Sequence, residues 1–214
     1  MLVSCSWSGG KDSCYALMQS MKQGAVPAVL VNMMNENGKI SRSHGLPLAL
    51  LQQQAQAMKL PVIAVPTSWH EYEQNFVGIL NEVKSAYQIE AMVFGDIDLQ
   101  AHRDWEEMVC RKAGISAHLP LWKRDRKELM LEMLDAGMET MIVSCNTVMG
   151  ESFLGKYLNY DVISVLEALD IDVCGENGEF HTMVVNCPLF AGRLQLPPHR
   201  KVDVEQYHFL QWEL

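Results

Sequence analysis

The amino-acid sequence predicts an α/β fold: a mostly parallel, doubly wound sheet with a smaller α+β subdomain at its C-terminal end. Three observations predict it. Short apolar or β-branched runs alternate with longer amphipathic segments, the pattern of strands joined by crossover helices. Glycines stand where the amphipathic segments stop. Beyond Val148 the alternation gives way to runs broken by Pro188, Pro197 and Pro198, which read as irregular or antiparallel strands.

Taken in order, a first strand over 2–7 runs through a Ser-Gly-Gly turn into a helix over 12–23, closed by Gly24. A strand over 28–33 precedes a helix over 47–58, with Pro47 in a first turn that needs no N–H there. Strands over 61–65, 91–94, 116–119 and 140–144 are separated by helices over 70–87, 103–113 and 126–136, the last two closed by Gly114 and Gly137. A helix over 161–169 and strand-like runs over 179–186, 192–196 and 201–212 complete the chain. With no low-complexity linker and no internal repeat, a boundary near Val148 divides it into 1–147 and 148–214.

Composition excludes several classes of function. A chain of 214 residues, 49% hydrophobic and 20% charged, can bury a full core. Its longest apolar runs are far shorter than a membrane span, and the N-terminus lacks a basic segment followed by a cleavable apolar one, so a cytoplasmic protein is expected. Six cysteines without a Cys-x-x-Cys pair signal neither a zinc site nor a redox couple, and buried thiols are expected. A net charge of −9 disfavours extensive nucleic-acid binding.

The segment Ser8-Gly9-Gly10-Lys11-Asp12-Ser13 lies between the first strand and the first helix. Two glycines let the backbone turn tightly with its N–H groups inward, the helix N-terminus adds partial positive charge, and Lys11 adds a full one. A phosphate group is the expected occupant. The spacing is not that of a Walker A loop, which places four residues between its first glycine and its Gly-Lys pair. A plain turn with an Asp or Ser cap explains part of the segment but not all of it.

The hexapeptide resembles the PP-loop of the N-type ATP pyrophosphatases, which split ATP into AMP and pyrophosphate while activating an oxygen of a second substrate. The resemblance implies a HUP-like, adenine nucleotide alpha hydrolase-like fold. It also implies that the backbone of Gly9 and Gly10 and the side chains of Ser8, Lys11 and Ser13 hold phosphate oxygens. Asp12 would act through Mg²⁺ or by orienting the loop, and Val31, Asn32 and Met33 would lie near the adenine.

A second cluster, Cys174-Gly175-Glu176-Asn177-Gly178-Glu179-Phe180-His181-Thr182, gathers two carboxylates and an imidazole in a glycine-rich turn. Such a cluster suits metal binding or proton transfer, although an acidic turn is often merely solvated. Its continuation through Pro188-Leu189-Phe190 resembles the diphthine-ammonia ligase branch of the PP-loop enzymes. So do Gly95-Asp96-Ile97, Arg103 with Glu106-Glu107, and Pro120-Leu121-Trp122. That branch implies adenylation of a carboxylate and attack by ammonia, with the carboxylate on elongation factor 2 in an archaeal or eukaryotic source and a different one in a bacterium.

On this resemblance Lys11, Asp12, Glu176, Glu179 and His181 are the candidate catalytic residues, and His44, Gly95, Asp96, Arg103, Asn177 and Thr182 the candidate acceptor pocket. His44 stands in Ser43-His44-Gly45-Leu46-Pro47, where many relatives have a His-Thr-Pro-like stretch. Partner recognition is left to the tail beyond Val148 or to oligomerisation. Two other readings stay open: RNA modification, against which the absence of paired cysteines speaks, and a nucleotide-binding regulator without turnover.

Overall fold

A computed structural model describes residues 1–213. Five parallel strands form the first sheet: β1 (Leu2–Ser6), β2 (Val26–Met34), β3 (Val62–Pro66), β4 (Ala91–Val93) and β5 (Ser116–His118). Their order is β3-β2-β1-β4-β5, so the direction of winding reverses between β1 and β4. In an open parallel sheet the crevice at the carboxyl ends of such a pair is where ligands bind. Here that crevice receives the glycine-rich loop.

Both faces of the sheet are covered because its central strands alternate inside one continuous apolar run. Val3, Cys5, Leu30 and Met34 join one core with α1 (Lys11–Lys22) and α2 (Leu48–Ala57). Val29, Val31, Met33 and Met92 join the other with α3 (Tyr72–Tyr87) and α4 (Gln100–Ala113). Gly114 caps α4 in the left-handed region at φ 68°, as its place in the sequence predicts. Pro47 differs from expectation: with ψ at 149° it is the extended residue before α2 rather than part of its first turn.

The second sheet is antiparallel, in the order β7-β6-β9-β8. It comprises β6 (Glu139–Asn146), β7 (Phe180–Asn186), β8 (His199–Val204) and β9 (Tyr207–Trp212), with α5 (Arg126–Asp135) and α6 (Tyr160–Ala168) flanking β6 in the chain. The sequence reading counted β6 with the parallel strands. Its apolar run pairs instead with β7, so a division by sheets falls between β5 and β6, ahead of the expected position near Val148. The expected strand over 192–196 does not form, and β8 and β9 make a hairpin where one run over 201–212 was expected.

Helix α1 lies between the two sheets, packing on β1, β2 and β4 on one side and β7 on the other. Eight residues of it are consequently buried, including Lys11 and Ser13. Beside it, the fully buried Gln54 of α2 joins three segments. Its Nε2 donates to Gly9 O at 2.9 Å and to Val184 O at 2.8 Å, and its Oε1 accepts from Trp7 Nε1 at 2.9 Å. Gln54→Leu removes three buried hydrogen bonds and leaves the Trp7 indole N–H without its acceptor, while Gly9 O keeps Val184 N, and we expect a loss of about 2 kcal/mol or more, with melting lowered by roughly 4–8 °C. Gln52→Leu, on the exposed side of the same helix, is expected to stay within about 0.5 kcal/mol, as calorimetric melting of both variants will show.

Candidate functional site

The loop between β1 and α1 is tied from three sides. Gly9 adopts φ +86°, and an added Cβ there would lie 2.6 Å from Leu46 Cδ1. Its carbonyl accepts from Val184 N as well as from Gln54. Ser8 Oγ accepts from Gly10 N at 3.2 Å and shares a hydrogen bond with Ser13 Oγ at 3.1 Å. Lys11 N donates to Thr182 Oγ1 at 3.1 Å, so Thr182, expected in the acceptor pocket, holds the loop itself. The amides of Asp12 and Ser13, in the first turn of α1, have no intrahelical acceptor and are available to an anion.

Lys11 is only 2% exposed, lying beneath the turn over 172–182. Its Nζ donates to both Asp12 oxygens, at 2.9 and 2.8 Å, and to Cys174 O at 2.5 Å. Burial opposes its charge, but Asp12, Cys174 and Glu176 outweigh burial and raise its pKa above the usual lysine value. It is therefore charged and already neutralised.

Around the loop opens a cleft of about 610 Å³. The loop contributes Ser8, Lys11, Asp12 and Ser13, and the end of β4 contributes Phe94, Gly95 and Asp96. Gly95 is required by close approach, since a Cβ would lie 2.7 Å from Asp12 C and 2.8 Å from Ser13 N. Trp69, Tyr72, Phe76 and Trp105 form an aromatic wall, and Glu176, His181 and Thr182 close the far side.

Two imidazoles meet over the loop, with ring centroids of His44 and His181 4.8 Å apart. His44 Nδ1 lies 2.7 Å from Thr182 O. A carbonyl only accepts, so Nδ1 carries the proton and Nε2 keeps its lone pair toward solvent or ligand. Burial, with Lys11 nearby, lowers His44 to about 4 despite that bond, and burial with His44 and Lys11 lowers His181 to about 3. Both are neutral at physiological pH.

Glu176 is placed by a latch that the sequence reading missed. Arg126, at the start of α5, grips Asp98 through Nε and Nη2 at 2.9 and 2.8 Å and Asp172 through Nη1 at 2.5 Å. Asp172 in turn accepts from the amides of Cys174 and Glu176 at 3.1 and 2.9 Å. The carboxyl of Glu176 is thereby held in the cleft, where burial and Asp12 push it up to about 7 against the pull of Lys11 and Arg126.

Opposite, Glu106 of α4 is 4% exposed and lines the cleft. Burial and its hydrogen bond with Asp96 push it up to about 10, so it is a neutral acid. Asp96 stays ionised: burial opposes this, but His102, whose Nδ1 lies 2.7 Å from Oδ1, and Glu106 hold its pKa down. The family resemblance includes Asp96, Arg103 and Glu106-Glu107 of this segment. That Glu106 and the aromatic rings face one space was legible only in three dimensions.

Several expected residues lie elsewhere. Val31 and Met33 point into the core under α3, because a strand buried on both faces directs alternate side chains inward. Asn32 latches the end of β1, with Nδ2 donating to Trp7 O at 2.6 Å, and keeps a buried Oδ1 without a partner. Arg103 pairs with Glu107 at 2.7 Å and lies over Trp122. Glu179 accepts from Asn177 N and Nδ2 at 3.0 and 3.1 Å, a local turn that does not line the cleft. Asn177 is exposed in that turn.

All six cysteines are free and buried, although Cys14 and Cys187 stand 3.6 Å apart between sulfurs. Among the described residues no group of three His, Cys, Asp or Glu is placed to hold a metal ion, and no helix is long and apolar enough to cross a membrane. Asp12 nevertheless suits Mg²⁺, which commonly takes one or two carboxylates and completes its shell with phosphates and water.

A parallel sheet whose switch point carries a Ser-Gly-Gly-Lys-Asp-Ser loop defines a PP-loop nucleotide-binding protein. Residues 1–117 match the family model described as the diphthamide synthase N-terminal domain, and 125–213 match its C-terminal domain. The chain belongs to the diphthamide synthase family. It is 26% identical over 220 residues to the human diphthine–ammonia ligase and 28% identical over 221 residues to that of Bos taurus, covering 91% of this chain and 82% of each relative. A solved protein described as a predicted subunit of tRNA methyltransferase from Methanocaldococcus jannaschii aligns with TM-score 0.47 and 16% identity over 88% of this chain and 98% of that one.

Glu176 yields a pH prediction. Its pKa in the fold, about 7, lies above the ordinary 4.5, so the stability tied to its neutral form is full below about 4.5 and is lost as pH rises through about 7. Glu176→Gln should therefore gain stability over the parent as pH is raised from about 5 to about 8, with little difference at the lower end. Urea titrations across that range measure it.

Proposed function

We propose that this chain is an ATP-dependent amide ligase of the diphthine–ammonia ligase type, adenylating a carboxylate with release of pyrophosphate and passing the acyl group to ammonia with release of AMP. The single observation that carries the reading is that the PP-loop and the turn bearing Glu176 and His181 face one another across one cleft, joined by Lys11 N to Thr182 and Lys11 Nζ to Cys174. A carboxylate resists ammonia because its charge repels the nucleophile and oxide is a poor leaving group. The mixed anhydride with AMP removes both obstacles.

In this reading the pyrophosphate end of ATP rests on the free amides of the first turn of α1, with Ser8 and Ser13 on its oxygens. Magnesium, when bound, screens the phosphate charge. Asp12, in serving that ion, leaves Lys11 Nζ with Cys174 O and frees its positive charge for the departing pyrophosphate. Glu176, with a pKa of about 7, takes the proton that the attacking ammonia must lose. His181 and His44, held neutral, position the acyl group without repelling the ammonium form. The carboxylate acceptor is assigned to a modified histidine of elongation factor 2 where the source is archaeal or eukaryotic.

Chromatography of the nucleotide products tests the reading: AMP and pyrophosphate in equal amounts are expected, and ADP would reject it. Lys11→Ala should lower turnover by about 100-fold or more while the protein still folds, and an active variant would overturn the assigned role. Glu176→Gln and His181→Ala should slow amide formation by at least about tenfold with little change in ATP affinity, whereas Glu179→Ala should change neither. Calorimetric titration of ATP with magnesium separates the two steps.

A further inference from the structure

Two thiols stand in contact where the sheets meet, and no step of adenylation uses them. Cys14 lies in α1, and its N–H donates to Gly10 O of the phosphate loop. Cys187 directly follows β7, the strand against which α1 packs. Cys14 Sγ donates to Cys187 Sγ across 3.6 Å, although the two residues are 173 apart in the chain. That separation is why a sequence without a Cys-x-x-Cys motif signals no redox couple. The surroundings of the two differ. Cys187 is 4% exposed next to the exposed Pro188, whereas Cys14 is 0% exposed. The Cys14 S–H and the backbone amides of Leu189 and Phe190 hold the Cys187 thiol below its usual value, against the effect of burial. Burial raises Cys5, Cys110, Cys145 and Cys174 instead.

We propose that Cys14 and Cys187 are a redox modification site: peroxide converts them to a reversible disulfide, which weakens nucleotide binding by displacing the first turn of α1. The Cys187 thiolate attacks one peroxide oxygen, the O–O bond breaks, and the departing hydroxide takes a proton from solvent. Cys14 then attacks the sulfur of the resulting sulfenic acid, the S–O bond breaks, and the second hydroxide takes the Cys14 proton. Two thiols lose two electrons in all, and one peroxide becomes two waters. A small oxidant suits a sulfur so little exposed, and a thiol reductant reverses the bond by exchange. A disulfide needs its sulfurs about 2 Å apart, so the pair must close by roughly 1.5 Å from its present separation. In a densely packed interior that closure is shared with the backbone of α1. The amides of Asp12 and Ser13 belong to the turn just before Cys14, and they shift from the positions they hold against Gly95.

The inference rests on the nucleotide-binding reading of the loop. The full chain, reduced and then freed of reductant, is treated with hydrogen peroxide, and its thiols are counted before and after dithiothreitol. Free thiols are expected to fall from six to four, with a mass lower by two hydrogens, and dithiothreitol should restore all six. Cys14→Ser and Cys187→Ala should form no such bond, whereas Cys145→Ser should form it as the parent does. Melting curves confirm that each variant is folded, and either variant of the pair serves should the other fail to fold. Calorimetric titration of ATP with magnesium should show an affinity lower by about fivefold or more in the oxidised parent, reversed by dithiothreitol. Peroxide should leave the affinity of Cys187→Ala, which keeps every methionine of the parent, unchanged. Six thiols persisting after peroxide, a bond between any other two cysteines, or equal ATP affinity in the oxidised and reduced parent overturns the proposal. Bond and affinity are both read without turnover. ADP in place of AMP from the reduced protein would therefore refute the ligase reading alone, and AMP formation by a parent whose thiols never pair would refute this inference alone.

Discussion

The site depends on one buried amide. Gln54 satisfies a carbonyl of the phosphate loop, a carbonyl of β7 and the indole N–H at the end of β1, all with one side chain that no water reaches. Two sheets of unrelated topology meet at that point, and only a group with two donors and an acceptor in one plane can serve all three partners. Gly9 supplies the remaining condition. Its left-handed conformation turns the carbonyl toward both Gln54 and Val184, and the neighbouring leucines leave no space for a Cβ. The loop is thus held from outside as well as by its own turn.

Charge is distributed across the cleft with similar economy of groups. Lys11 is surrounded by Asp12, Glu176 and the Cys174 carbonyl, so the buried ammonium is compensated internally. The two histidines beside it are neutral chiefly because burial disfavours their charged forms, with Lys11 adding repulsion. The carboxyl groups, in contrast, are spread in pKa: Asp96 ionised, Glu176 near neutrality, Glu106 protonated. Acids set apart in this way can divide the tasks of holding charge, taking a proton and donating a hydrogen bond within one space.

What the sequence disclosed, and what it withheld, follows from the range of the interactions. The parallel sheet, its helices and the glycine-rich loop were legible because strand periodicity, helix-ending glycines and a strand-to-helix phosphate turn are local signals. The placement of β6 was not, since an apolar run of eight residues suits a parallel strand and an antiparallel one alike. The turn over 174–182 was found as a motif, yet its two carboxylates could not be told apart: Glu176 is turned inward by Asp172 and Arg126, more distant in sequence, whereas Glu179 is satisfied by Asn177 two residues away. Val31 and Met33 show the reverse error. The family resemblance implied a nucleotide contact at this strand end, but alternation buries both side chains. Gln54 left a faint trace, a polar residue on the apolar side of α2, next to Leu50, Leu51 and Ala55.

The switch point explains why one cleft has walls of different chemical character. Between β1 and β4 the winding reverses, so α1 and α4 lie on opposite faces of the sheet while the carboxyl ends of the two strands stay side by side. The β1 side offers a helix N-terminus and a lysine, an environment for anions. The β4 side offers the ionised Asp96, the neutral acid Glu106 and ring faces. Gly95 lets these surfaces meet at van der Waals distance rather than a side chain apart. The parallel sheet supplies the separation of charge, and the missing Cβ supplies the contact.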